Sequence, residues 1–586
     1  MVTRFSAVVA VSALAFSSAA VLGPSPGAAA SPSPSPAGGA GAPPPASARA
    51  ADLVLRNGRI YTMGRGEAWA QAVAVRNGEI AYVGGDSGVA AHTGPRTRVI
   101  DLAGRMALPG FVDGHNHAYL MAESLFWLSL NPYGTVRERQ AALRAYRERN
   151  PAAAQVRGVG WDGAASDAKA AGVMPKELLD AVVPDVPVVI ISNGHHSLLV
   201  NSKALELAGI TKDTQDPPGG VIERDEKTGE PNGIVHEFSA QNLVINALPQ
   251  PDFTVGQYRQ TIAAWQKAAA ADGITSAFVP VHYPTTSLLE AFEAMDEAGE
   301  LTVRFDLGLW ADENRGTEQV DDLVALRARY QGGKYRIDTV KIFSDGVGAG
   351  RLVWDQRVLE ETVAALDRKG FRVYVHAIGN PEFYPSGNAL DAFEYAARKN
   401  GPRDSRHVVT HADWVRERDV RRFKRLGAIP VPQPPWFGKD WYDDVPKNKL
   451  KNLNRFQSYL DAGIPVVSSS DFPSSDTFER DMYPLTGIEA GMTRLDPATT
   501  REEDLDRAAW PRERASLHDM IASYTVNGAR MIFAERERGS IEVGKKADLV
   551  VLDQNLFEIP VTRTSETKVL LTLFEGAETY RDPSFR

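Results

Sequence analysis

The chain has 586 residues, 43% hydrophobic and 24% charged, the balance of a folded globular protein. Lys plus Arg total 65 against 74 Asp plus Glu, a net charge of −9, which argues against a general nucleic-acid binder because such a protein needs a basic face. With no cysteine, disulfides, Cys-ligated zinc, iron–sulfur clusters and thiol catalysis are excluded, so any metal must be held by His, carboxylate, Lys-derived or carbonyl groups.

Arg4 followed by an uncharged, apolar or small run to Leu22 predicts a secretory signal peptide, placed at 1–30, and a secreted or extracytoplasmic location. The run is short for a span, which takes about 20 strongly apolar residues, so no stable membrane insertion is expected after signal removal. From Pro24 to Ala48 every residue is Pro, Ser, Gly or Ala. That composition cannot bury a core and predicts a linker over 31–50. Next come two β-rich runs, 52–61 and 71–84, each broken by Asn-Gly, a strong hairpin signal. Near the other end, 539–553 and 568–580 also read as strands, with Gly-Lys and Glu-Gly turns. Neither end can bury much alone, so a single β-sandwich built from 51–108 and 535–586 is expected.

Between them, 109–534 alternates apolar β-type runs (110–113, 155–160, 274–280, 303–310, 338–344, 372–377, 406–412 and 465–471) with helical patterns at 254–271, 286–298 and 387–399. Alternation implies parallel strands. Eight units predict an α/β fold, a distorted (β/α)8 TIM barrel; a doubly wound sheet fits the same periodicity. A barrel needs about 250 residues, so the region carries insertions, the largest expected near 187–238.

The sharpest local signal is FVDGHNHAYL, with His115 and His117. Residues i and i+2 of a strand share a face, so both imidazoles can reach one metal ion while Asn116 points away. His376, His411 and Asp471 each end an apolar run, and Lys341 lies inside one, TVKIFSDG. Barrel active sites gather at the C-terminal ends of strands, so these six side chains should meet at one mouth. A buried Lys is costly unless paired or neutralised, so Lys341 needs a chemical reason.

The segments VIDLAGRMALPGFVDGHNH, VKIFSDGVG, VHAIG, TH and SSSDFP resemble the amidohydrolase superfamily, and within it the YtcJ-like metal-dependent amidohydrolases that include N-substituted formamide deformylases. GWD from Gly160, HSLLVNSKAL from His196, DPPGGVIERD from Asp216 and YTVNGAR from Tyr524 extend the likeness over 51–580. The resemblance implies that His115 and His117 bind the more buried metal, that Lys341 is carboxylated and bridges two divalent ions, zinc first among the candidates, and that His376 and His411 hold the second. One ion or two are both compatible with the ligand types. Asp471 would ligate metal and shuttle the proton, making Asp471 and Lys341 catalytic, with His196 as a substrate-orienting group.

Three positions depart from the family pattern: Thr410 replaces an acidic residue before His411, HAIGD becomes HAIGN at Asn380, and NGHH precedes Ser197 where DGH is common. Such neighbours tune metal affinity and basicity. Weaker candidates are Asp345 as a pocket residue, Trp161 and Asp162 as substrate contacts, and Trp436 as an apolar wall. The function expected is an exported metal-dependent hydrolase of a C–N bond in an amide, formamide or cyclic amide, acting on a small molecule, with no nucleic acid and with room for a homodimer. An esterase, lactonase or deaminase on the same site is the alternative, then a non-catalytic secreted binding protein.

Overall fold

The computed structural model describes residues 50–217, 219–248, 253–281, 286–346, 351–438, 445–473, 482–499, 501–508 and 510–585. The expected signal peptide and the expected linker up to residue 49 lie outside the described residues. Among the described residues no helix is long and apolar enough to cross a membrane.

The two ends of the chain share one sheet. Strand Leu549–Leu552 runs antiparallel to Met106–Pro109, with Val550 opposite Leu108. This six-stranded sheet faces a four-stranded one whose strands are Glu79–Gly84, Ala72–Arg76, Leu53–Arg56 and Arg98–Asp101. Leu55, Val73 and Ile100 from the N-terminal segment pack with Val551 and Leu571 from the C-terminal one in a single buried cluster. The hairpin signal is realised at Asn77 (φ 52°) and Gly78 (φ 77°), which both take the left-handed conformation that a type I′ turn demands.

Seven parallel strands form the barrel: β1 (Phe111–Asp113), β2 (Ile274–Val281), β3 (Arg304–Trp310), β4 (Tyr335–Phe343), β5 (Arg372–Ala377), β6 (Val408–His411) and β7 (Ile429–Val431). They pair in chain order from β1 to β7. The eighth position is filled by 466–471 without a regular ladder. There Val467 N–H donates to the Pro430 carbonyl, Gly114 N–H to the Ser468 carbonyl, and Asp471 N–H to the His115 carbonyl. Ser468 N–H turns instead to the Ser523 carbonyl, which interrupts the ladder. The expected helices appear as Val255–Ala271, capped by a Thr254–Gln257 capping box, Thr286–Glu297 and Pro385–Asn400.

The barrel membership of 155–160 is corrected. Val156–Val159 pairs in parallel with Val188–Ile191 and with Leu128–Ser129, inside a separate six-stranded sheet. That sheet runs from Leu128 to His236, so the inserted layer starts well before 187. The barrel strand in its stead is the three-residue β7, too short to carry a pattern of its own.

Candidate metal centre

His115 and His117 lie in the loop just past β1. The loop is pinned by Asp113, the last residue of that strand, whose carboxylate accepts from Ser470 N–H (3.0 Å), Ser470 Oγ (2.5 Å), His115 N–H (3.2 Å) and Asn116 Nδ2 (3.2 Å). One buried carboxylate thus ties the HxH loop to the segment carrying Asp471. Burial pushes Asp113 up to about 6 against these four bonds. The expected strand ends at Asp113, so strand alternation does not set the HxH pair; in this loop Asn116 donates to Asp113 and accepts from Ala118 N–H.

The Nε2 atoms of His115 and His117 lie 2.9 and 3.2 Å from Asp471 Oδ1. Hydrogen bonding on the far side of each ring fixes the tautomer. Tyr374 OH donates to the Gly114 carbonyl at 3.0 Å, so at its 3.0 Å contact with His115 Nδ1 it accepts. His117 Nδ1 faces the Pro280 carbonyl at 3.2 Å, which only accepts. Both Nδ1 atoms therefore carry a proton, and on His115, whose buried Nε2 makes no hydrogen bond, the Nε2 lone pair is left on the Asp471 side. Burial holds the His115 imidazole well below its ordinary value and lowers that of His117 as well. Burial alone would raise the Asp471 carboxyl, but His115, His117 and His411 together hold it well below the usual range.

This is the arrangement of a ligand set. His115 Nε2 and Asp471 Oδ1 are buried, 2.9 Å apart, and without a hydrogen-bond partner. Bonds of roughly 2.0–2.1 Å to a shared cation put neighbouring ligand atoms about 2.9–3.4 Å apart. Among the described residues His115, His117 and Asp471 form the compact donor cluster.

A second group adjoins it. The His411 ring lies 5.3 Å from that of His115 and 4.4 Å from that of His376, centre to centre. His411 Nδ1 is 2.9 Å from Gln433 Oε1, and Gln433 Nε2 donates to Ser469 Oγ, so His411 Nε2 is the open nitrogen. Burial drives the His411 imidazole down to about 3. Both ring nitrogens of His376 are buried without a hydrogen bond, as is Lys341 Nζ. That ammonium group faces the rings of Phe343 (4.7 Å) and Tyr374 (5.3 Å). Burial brings Lys341 down to about 7, although Asp471 and Asp345 pull the other way. Lys341 is close enough to perturb His115, His117, His376 and His411, so all six expected side chains converge.

His411 (φ 62°) and Asp471 (φ 56°) both take the left-handed backbone region, which costs a non-glycine residue about 1–2 kcal/mol. Local strain of this kind concentrates at functional sites.

The weaker candidates divide. Asp345 is buried beside the centre: Oδ2 accepts Gly379 N–H at 2.8 Å and Oδ1 stands 3.8 Å from His376 Nε2. Burial raises it to about 8. Trp436 lies parallel to His411, ring centres 5.5 Å apart, and forms the apolar wall. His196 reaches the mouth, its ring 5.8 Å from that of His376. Trp161 does not: its Nε1 donates to Asp167 within the inserted layer, and Asp162 accepts from Asn193 through both N–H and Nδ2. Thr410 turns aside to donate to the Val431 carbonyl, and Asn380 caps its own turn. Tyr374, Gln433 and Glu237, whose Oε2 is 2.9 Å from His196 Nδ1, carry no sequence signal, because each works through hydrogen bonds to residues distant in the chain.

The model of the amidohydrolase family matches residues 98–580. The chain is 27% identical to the putative amidohydrolase YtcJ of Bacillus subtilis (strain 168) over 90% of its own length and 99% of that protein. It is 25% identical to the N-substituted formamide deformylase of Arthrobacter pascens over 90% of itself and 98% of that enzyme. An uncharacterized metal-dependent hydrolase from Pyrococcus horikoshii OT3 superposes with a TM-score of 0.65 at 23% identity, covering 87% of this chain and 99% of that one.

Proposed function

Because this chain belongs to the amidohydrolase family, we propose that it hydrolyses a C–N bond of a small amide, formamide or cyclic amide, with the six convergent side chains as its working centre. The observation that carries this reading is the set of buried, unpaired donor atoms, His115 Nε2, Asp471 Oδ1, Lys341 Nζ and both His376 nitrogens, all at the C-terminal mouth of the barrel.

His115, His117 and Asp471 would hold one divalent ion, and His376 with His411 a second; His and carboxylate donors suit zinc. Such an ion, when bound, ionises water near neutral pH and polarises the scissile carbonyl. Asp471, whose carboxyl is held well below its ordinary range, takes the proton of the attacking water and returns it to the leaving nitrogen. The walls of Trp436 and Phe343 keep bulk water off the reacting carbonyl. Lys341, near 7, has an uncharged amine available to carbon dioxide. Its nitrogen would add to the CO2 carbon and release a proton to water, and the resulting carbamate would supply the centre with an anionic oxygen donor. The 25% identity to an N-substituted formamide deformylase supports formamides as the first substrates to try. The apolar segment after Arg4 supports export.

The test is metal analysis of purified protein alongside turnover of a panel of formamides, N-acyl amino acids, cyclic imides and aryl esters. Stoichiometric divalent metal with amide turnover is expected. Absence of bound metal after reconstitution with bicarbonate, or ester turnover alone, overturns the reading.

A further inference from the structure

His195, beside the candidate orienting residue His196, is built into the site. Its backbone is left-handed (φ 61°), a conformation that suits glycine and taxes an imidazole-bearing residue. Both ring nitrogens face acceptors: Nδ1 is 2.9 Å from the Asn193 carbonyl and Nε2 is 2.9 Å from Glu123 Oε2. A carbonyl and a carboxylate only accept, so the ring carries two protons and a positive charge. Burial would lower this histidine, but Glu123 and the Asn193 carbonyl raise it above its ordinary value.

The ring therefore bolts two segments together. One is the helix Met121–Phe126, which begins four residues after His117 and carries Glu123. The other is the turn 192–195, closed by His195 N–H donating to the Ser192 carbonyl. The turn is held again by Asp162 on Asn193 and by Gln241 Nε2, which donates to the His195 carbonyl at 3.0 Å. The next residue in the chain is His196. Its Nδ1 is fixed by Glu237, leaving Nε2 to face the mouth beside His376. Glu237 is itself left-handed (φ 64°), and its carboxylate fills the space over Gly346, where a Cβ would come within 2.3 Å of it.

We propose that His195, ion-paired with Glu123, is a positioning residue that locks the turn carrying His196 over the metal centre, so that His196 can orient the substrate. The proposal rests on the hydrolase reading for its activity arm alone. A misplacement of about 1 Å in such a group costs about 10²-fold in rate.

The experiment is a double-mutant cycle on an N-alkylformamide, with metal content recorded for every variant. His195→Gly keeps the backbone conformation cheap and removes the bolt. It is expected to lower kcat about 10²-fold with KM within about threefold, at unchanged metal content. In a His196→Ala background the same substitution should cost nothing further, because His195 acts only through His196. Equal losses in both backgrounds, or no loss in the first, overturn the proposal. Hydrogen exchange on metal-free protein is the second arm: amides of 188–201 should exchange at least about tenfold faster in His195→Gly and Glu123→Gln than in wild type. Unchanged exchange overturns the latch. A wild-type protein that turns over no amide sinks the hydrolase reading, and the exchange arm then decides this one.

Discussion

Tyr374→Phe tests how the protein prepares a lone pair for the metal. The hydroxyl accepts from His115 Nδ1 and donates to the Gly114 carbonyl, both at 3.0 Å, and the residue is fully buried. Removing it leaves the ring stacked on Phe278, 4.3 Å between centroids, so packing is preserved. What changes is that a buried imidazole N–H and a buried carbonyl each lose a partner, at about 1–3 kcal/mol apiece. His115 can then switch tautomer and put its proton on Nε2, facing Asp471. Losing the group that orients a ligating histidine typically costs 10–100-fold in metal affinity, about 1.4–2.7 kcal/mol. The assay is chelator-competition titration of the purified variant beside wild type, with thermal unfolding of both metal-free forms. A loss of affinity in that range, with the metal-free form also less stable, is expected. Affinity within twofold of wild type would refute the tautomer argument even if stability fell.

Four further outcomes follow from the same geometry. Asp471→Asn should keep the fold and lose turnover, measured as kcat at saturating metal. Lys341→Met should raise the unfolding free energy of the metal-free protein by about 1–3 kcal/mol, by removing an unpaired buried amine, while abolishing activity. Asp345 has a folded value near 8 against an ordinary 3.8, so its contribution to stability is complete below pH 4 and is lost as pH rises toward 8. The stability gap between wild type and Asp345→Asn, followed by denaturant unfolding of metal-free protein, should therefore shift against wild type by up to about 1.4 kcal/mol per pH unit between pH 4 and 8. Gly346→Ala should displace the Glu237 carboxylate and reproduce much of the activity loss of His196→Ala, read as kcat on the same formamide.

The parts of this site legible in the sequence are those in which one residue type does one job at a strand end. His115, His117, Lys341, His376, His411 and Asp471 stand out because a charged or metal-binding side chain closing or interrupting an apolar run is unusual. Their supports are not legible in that way. Gln433 looks like any polar residue in a Pro-rich loop until its amide is seen on His411. Glu123 and His195 lie far apart in the chain, and only the fold brings them to 2.9 Å. Two fold features were hidden for related reasons. Val156–Val159 has the composition of a buried parallel strand and is one, but it pairs with Val188–Ile191 and not with the barrel; pattern cannot name a partner. Strand β7 has three residues, fewer than any periodicity can mark. Both ends of the chain read correctly as β because Asn-Gly turns and alternating apolar residues are local signals, and the shared sheet followed from neither end being able to bury a core alone.

The most direct test of the central claim is a crystal structure of metal-loaded protein, with anomalous scattering recorded at the edge of the bound metal. An anomalous peak bonded to His115 Nε2, His117 Nε2 and Asp471 Oδ1 is expected, with any second peak on the side of His376 and His411. A loaded protein with its peak elsewhere, and with His115 Nε2 protonated onto Asp471, would contradict it.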